Sequence, residues 1–255
     1  MELTTLILLS LTAFIAGFVD AIVGGGGLIQ TPMALILMPT LPVATLIGSL
    51  KIPSFTGTLM AAILYFKHLK INWKLLFLMI FLAIPAAFFG SMLLSVVNND
   101  FMKPVLFIVL VILLFYTISR KNFGQQVSFS ISKNKKYFLA SLVAVVIGFY
   151  DGFIGPGTGS FLVLSFIFLL GFDFLNASAN AKMVNLATNI GSIVLFLSKG
   201  KIIWLIAVPM AICNALGGYL GAKLAINQGN KFIRVFFLIV VFGTLIRFGY
   251  DIFYK

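Results

Sequence analysis

The sequence predicts an all-α polytopic membrane protein built from two inverted repeats, with roughly eight to ten membrane segments, some of them short, broken or re-entrant helices. Three observations predict this class: an extreme apolar composition, a succession of apolar segments separated by short loops, and a self-match between the two halves of the chain.

Of 255 residues, 61% are hydrophobic and only 9% carry charge, and the mean hydropathy is +1.15. Soluble domains are about half apolar and about a quarter charged. So few charges cannot cover a water-facing surface, so lipid is the outer solvent. The length suits a single membrane domain with short loops and leaves no room for a soluble catalytic domain. The net charge of +12 comes from 18 Lys+Arg against 6 Asp+Glu. In a soluble chain that excess would suggest nucleic acid. Here it fits basic loops retained on the cytoplasmic side, so no nucleic-acid partner is expected. Cys213, the single cysteine, lies in an apolar run and offers neither a disulfide nor a metal cluster. His68, the single histidine, sits in the basic loop Lys67-His68-Leu69-Lys70, which suits a solvated role. The N-terminal Met1-Glu2-Leu3-Thr4-Thr5 lacks the positive region of a signal peptide, so the first apolar segment is read as retained.

Apolar segments run through 5–23, 28–38, 43–66, 75–97 and 104–118, then 137–154, 159–171, 175–197, 202–226 and 235–252. A crossing helix needs about 20 apolar residues. The third and fourth segments of each set meet this, and the second is too short. The first and second are joined by Gly24-Gly25-Gly26-Gly27 in one set and by Gly155-Pro156-Gly157-Thr158-Gly159 in the other. Each junction reads as a broken or re-entrant pair, and non-helical backbone at membrane depth survives only where it lines a cavity or is buried in protein.

The two sets are copies at a constant offset of 131 residues. Gly17 matches Gly148, Asp20 matches Asp151, Gly24 and Gly26 match Gly155 and Gly157, Lys51 matches Lys182, Trp73 matches Trp204 and Gly90 matches Gly221. Identities run at about twice chance and include rare types. Residues 1–118 form the first repeat, 119–136 a basic cytoplasmic linker and 137–255 the second repeat. Each half holds three clear crossings plus a pair that leaves the parity unchanged, so the odd total inverts the second half. One side collects Lys67, Lys70, Lys74, Arg120, Lys121, Lys133, Lys135, Lys136, Lys231 and Arg234 and is the cytoplasmic one. Both termini then lie outside.

Four kinds of residue are candidates for function. The run Gly24 to Gly27 fails as a dinucleotide fingerprint, because Ile29 stands where its third glycine belongs and a βαβ context is missing. The glycine runs serve either close helix packing or the exposure of half-helix N–H groups, near Gly26 and Gly27 and near Gly157 and Gly159, to an anion. Lys51 and Lys182 lie seven or eight residues inside long apolar segments. A lysine at the bilayer centre costs at least about 2.5–3.5 kcal/mol on insertion scales, so each needs a bound anion, an ion-pair partner or a snorkelling route. Within a repeat the pairs would be Lys51 with Asp20 and Lys182 with Asp151. Lys51, Ser54 and Thr58 share one helix face, and so do Lys182, Asn185 and Asn189. Asp20 and Asp151, just before the breaks, can hold the lysines, cap backbone donors or carry a coupling proton. Trp73 and Trp204 open their segments as interfacial anchors. Lys223 and Arg247, near segment ends, suit snorkelling, and the 28 phenylalanines suit lipid contact or packing.

The stretch Ala16-Gly17-Phe18-Val19-Asp20-Ala21-Ile22-Val23-Gly24-Gly25-Gly26-Gly27 resembles the first-half signature of the TauE/SafE sulfite exporter family. The stretch Ile147-Gly148-Phe149-Tyr150-Asp151-Gly152-Phe153-Ile154-Gly155-Pro156-Gly157-Thr158-Gly159 resembles its second-half signature, and residues 176–189 are similar to its second-half polar helix. The resemblance covers nearly the whole chain. It implies a secondary carrier of the bacterial cytoplasmic (inner) membrane for small sulfur-containing anions such as sulfite, sulfoacetate or taurine-like sulfonates, and it carries polar-helix roles onto Lys182, Asn185 and Asn189.

The resulting expectation is a secondary transporter, not an enzyme, working by alternating access. Its site lies between the two breaks, with Lys182, supported by Lys51, supplying positive charge. Asn185, Asn189, Ser54 and Thr58 supply hydrogen bonds, and no cofactor or metal is required. Its partners are a small anionic substrate and the lipid bilayer, and a homodimer stays open. A carrier of cations or metals using Asp20 and Asp151, and an anion channel, are the rival readings. Two carboxylates without His or Cys make a poor transition-metal site.

Overall fold

The computed structural model describes residues 2–68, 72–97 and 132–253, with side chains up to residue 229 and at Phe232. Helices account for nearly all of these residues: α1 (Leu3–Val23), α2 (Gly27–Leu37), α3 (Val43–His68), α4 (Trp73–Val96), α5 (Lys133–Phe153), α6 (Thr158–Phe168), α7 (Phe174–Ser198) and α8 (Trp204–Phe253). Gly229, at φ 70° and ψ −165°, breaks α8. Six of the described helices, the Trp204–Gly229 part of α8 among them, are long and apolar enough to cross a membrane. The chain is a multi-pass membrane protein.

The element boundaries recur at the same offset of 131 residues. Adding 131 to α2 (Gly27–Leu37) gives the bounds of α6 (Thr158–Phe168), and the other three pairs agree to within a few residues when α8 is counted to its break at Gly229. Each set therefore reads long, short, long, long. The first helix of each set has 21 residues and is long enough to cross by itself. Only the 11-residue α2 and α6 are short, about 16 Å at 1.5 Å per residue, or about half a hydrocarbon core. The segment at 104–118 and most of the linker at 119–136 lie outside the described residues, and Lys133, Lys135 and Lys136 from the linker's end already belong to α5.

Packing between the halves is reciprocal. α1 packs on α8 as α5 packs on α4, and α3 packs on α8 as α7 packs on α4. Glycines make these approaches possible. Gly90 lies against the backbone of Phe149, and its counterpart Gly221 against the backbone of Phe18. Gly17 meets Asn214, and Gly148 meets Ala83, the residue equivalent to Asn214. Where helices touch through bare backbone, a side chain has no room, and small residues take these positions in membrane proteins.

Large apolar side chains face outward in number: Phe81 is 76% exposed, Leu3 73% and Leu205 67%. In water such a surface would drive aggregation, whereas in lipid it is the ordinary exterior. Phenylalanines occupy both faces, since Phe166 and Phe196 are fully buried. Trp73 and Trp204 begin α4 and α8 and are partly exposed, consistent with anchoring at the interface. Lys223 is exposed, and the side chain of Arg247 lies outside the described residues.

Candidate functional site

The site forms where the two glycine breaks meet. α1 stops at Gly24, which sits at φ 80° and donates its N–H to the Asp20 carbonyl at 2.8 Å. Left-handed backbone of this kind strongly favours glycine. The second break turns through Gly155 and Gly157, at φ 90° and 84°. The two breaks bind each other. Ser160 donates its N–H to the Gly24 carbonyl at 3.0 Å and its hydroxyl to the Val23 carbonyl at 3.1 Å. A Cβ on Gly24 would overlap the Gly159 backbone, and a Cβ on Gly159 would overlap Gly24.

Beside this contact lies a small cavity of about 50 Å³. Asp20, Gly26, Gly27, Lys51, Ser54, Thr58, Asp151, Gly157, Gly159, Asn185 and Asn189 all line it. Of the residues expected in the site, Lys182 alone is missing from the wall. Its side chain is fully buried, and its Nζ contacts Asp20 Oδ2 at 2.9 Å. The expected order of the two lysines is thereby reversed: Lys51 reaches the cavity, and Lys182 stands behind a carboxylate. The cause is local, because Asp20 takes up the Lys182 ammonium between α7 and the cavity.

The ion pairs also differ from the within-repeat pairing expected from the sequence. Each lysine crosses to the aspartate of the other repeat. Lys51 Nζ contacts Asp151 Oδ2 at 2.7 Å and donates to the Asp151 carbonyl at 2.8 Å, and Lys182 pairs with Asp20. The two contacts are equivalent under the duplication. Crossing is the geometric result of joining the breaks, which brings the end of α1 to α7 and the end of α5 to α3. Both pairs satisfy charges that would otherwise be very costly at this depth.

Their surroundings differ. The Lys51 and Asp151 side chains are 6% and 4% exposed, whereas Asp20 is 17% exposed against 0% for Lys182. Asp20 also accepts from the Thr58 hydroxyl and from the Gly26 N–H, both at 3.4 Å. The Gly26 amide thus faces a carboxylate of the protein, while Gly27, Gly157 and Gly159 present their backbone to the cavity wall.

Three amide side chains complete the polar lining. Asn189 is 2% exposed, and its Nδ2 has no hydrogen-bond partner among the described residues. Asn214 donates to Gln30 Oε1 at 2.8 Å, and Gln30 donates to the Leu50 carbonyl at 3.2 Å. Gln30, Thr31, Thr158 and Asn214 line the cavity without having been picked out in the sequence. A polar amide within the apolar run Ala211-Ile212-Cys213-Asn214-Ala215 was a usable signal. Matching the halves hid it, because the counterparts of Asn214 and Gln30 are Ala83 and Phe161.

Comparison with known proteins agrees with this architecture. A family sequence model described as "Sulfite exporter TauE/SafE" matches residues 9–248. The chain belongs to the TauE/SafE family. A "Probable membrane transporter protein" of Haemophilus influenzae is 34% identical over 249 residues, covering 96% of this chain and 95% of that protein. The "Probable membrane transporter protein ORF9" of a Sinorhizobium species is 34% identical over 239 residues, with 94% and 90% covered. The "Probable membrane transporter protein YfcA" of Escherichia coli K12 is 32% identical over 242 residues, with 94% and 87% covered. No solved structure matches the chain. This TauE/SafE protein is a membrane transporter and not an enzyme, and the paired breaks that carry the family resemblance are the segments that wall its cavity.

Proposed function

We propose that this chain is a secondary carrier of small anions, with sulfur-containing oxyanions or organosulfonates as its substrates, in the bacterial cytoplasmic membrane. One observation carries the reading: Asn189, buried among the polar groups at the meeting of the two breaks, holds an amide donor without an acceptor, in a wall that also contains the Lys51 ammonium. An unsatisfied buried donor costs about 1–3 kcal/mol, and an acceptor-rich solute would recover that cost. Ser54, Thr58 and Asn185 supply further polar contacts from the same wall. Lys182 stands behind Asp20 and balances the charge of that carboxylate.

The cation reading finds less support. Both carboxylates are engaged by ammonium groups, and a cation would have to displace one of them. For the transport cycle we take the two repeats as inverted halves that rock against each other around a cavity on their shared boundary, as in other duplicated carriers. The densest helix packing, α1 and α3 on α8 and α5 and α7 on α4, runs between the repeats and follows the same two-fold relation.

The test is flux of labelled sulfite and methanesulfonate into proteoliposomes. Saturable exchange accelerated by the same anion on the far side is expected of a carrier, whereas non-saturating flux without counterflow would point to a channel. If anions fail to exchange and monovalent or divalent cations do, the proposal is wrong.

A further inference from the structure

We propose that Asp20 is the proton-accepting group of this site, and that an anion enters together with one proton, which lands on the Asp20 carboxylate. The inference rests on the anion-carrier reading and adds a coupling ion and a residue to it.

Charge balance within the membrane is the starting point. Two ammonium groups and two carboxylates meet here as two pairs, so the resting site is neutral when all four are ionised. A bound anion without a compensating charge would leave a net negative charge at membrane depth, which is expensive in so dry a setting. A proton taken up with the anion restores neutrality. It arrives through cavity water as hydronium, whose O–H bond breaks as a new O–H bond forms on an Asp20 oxygen, leaving a neutral water.

The two carboxylates are not equally available. Lys51 holds Asp151 by its carboxylate and its backbone carbonyl at once, in a pair that is almost completely enclosed. Asp20 is the more exposed of the two, lines the cavity, and is held by one ammonium at 2.9 Å and by two weaker contacts at 3.4 Å. Protonating it removes the countercharge of Lys182, whose side chain is sealed in protein. The buried ammonium then lacks a negative partner, and an anion seated in front of Asp20 takes that place while accepting a hydrogen bond from the new carboxyl O–H. Among the described residues, the charged or titratable groups facing Asp20 are Lys182 of α7, Lys51 of α3 and Asp151 of α5 across the cavity, and Tyr65 of α3, which donates to the neighbouring Ala21 carbonyl. Asn214 of α8, Gly26 at the start of α2 and the Gly157–Gly159 turn before α6 add only uncharged groups.

The experiment measures binding of methanesulfonate and sulfite to the purified chain in detergent across about pH 5 to pH 8, with proton uptake followed in weak buffer. One linked proton predicts that wild-type affinity falls about tenfold per pH unit wherever binding takes up that proton. It also predicts about one proton taken up per methanesulfonate bound there. Asp20→Asn should remove this slope for methanesulfonate, and for sulfite should leave only the titration of the anion itself. Methanesulfonate binding without proton uptake by the wild type, or an unchanged slope in the variant, overturns the proposal and leaves the anion reading intact. Should the variant not fold, the wild-type proton count decides alone. Binding of neither anion at any pH defeats the anion reading, and the proposal falls with it.

Discussion

The pairs Lys51–Asp151 and Lys182–Asp20 occupy equivalent positions in two copies of one sequence motif, and they sit in different environments. In the first, both side chains are nearly sealed and the lysine reaches the cavity wall. In the second, the lysine is sealed and the aspartate is the exposed member. The first pair therefore puts both of its charges in the cavity wall, and the second puts only its carboxylate there. What distinguishes them is where the breaks leave open space, since the residue types and the crosswise pairing are the same in both.

The comparison breaks most readily when one partner is removed. Lys51→Met leaves Asp151 enclosed without a countercharge, and losing one partner of a buried pair costs about 3–5 kcal/mol. Lys182→Met leaves Asp20 beside the cavity, where water or a proton can relieve it. Thermal unfolding in detergent should show the Lys51 variant as the less stable of the two, although Lys182 is the more buried lysine. Equal losses would mean that the difference in exposure has no energetic consequence. The double variant Lys51→Met/Asp151→Leu should recover much of the lost stability, because apolar replacement of a whole buried pair is often nearly neutral. Failure to recover would show that the pair sets local geometry.

A smaller effect is expected at Asn189. Replacement by Ala removes an unsatisfied donor, so folding stability should hold or rise by up to about 1 kcal/mol while affinity for methanesulfonate falls about fivefold to tenfold. A loss of stability with unchanged affinity would make Asn189 a packing residue. The smallest effect is expected for Ser160→Ala, which deletes one hydroxyl bond between the breaks at about 1 kcal/mol and leaves both ion pairs in place. Thermal unfolding would measure it.

Composition made the fold class legible, and the constant offset between Asp20 and Asp151, or Lys51 and Lys182, made the duplication legible. Both are one-dimensional properties. The site residues were legible for the same reason: a charge or amide in an apolar segment is expensive wherever the helix lies. Which lysine meets which aspartate was not legible, because it depends on how the ends of α1 and α5 cross. The placement of Lys182 behind Asp20 depends on the same crossing. Gln30 and Asn214 escaped because they break the symmetry that made the other residues conspicuous.

The touching glycines at the centre carry a mechanical consequence. Gly24 and Gly159 meet as bare backbone, one from each half of the chain, beside the ion pairs that tie the halves together. Apart from the two Ser160 hydrogen bonds, the joint has no side chain to interlock, so it can tilt by small amounts with little rearrangement. A single methyl group at either glycine would act as a wedge in that bearing, freezing the relative setting of the halves or forcing them apart.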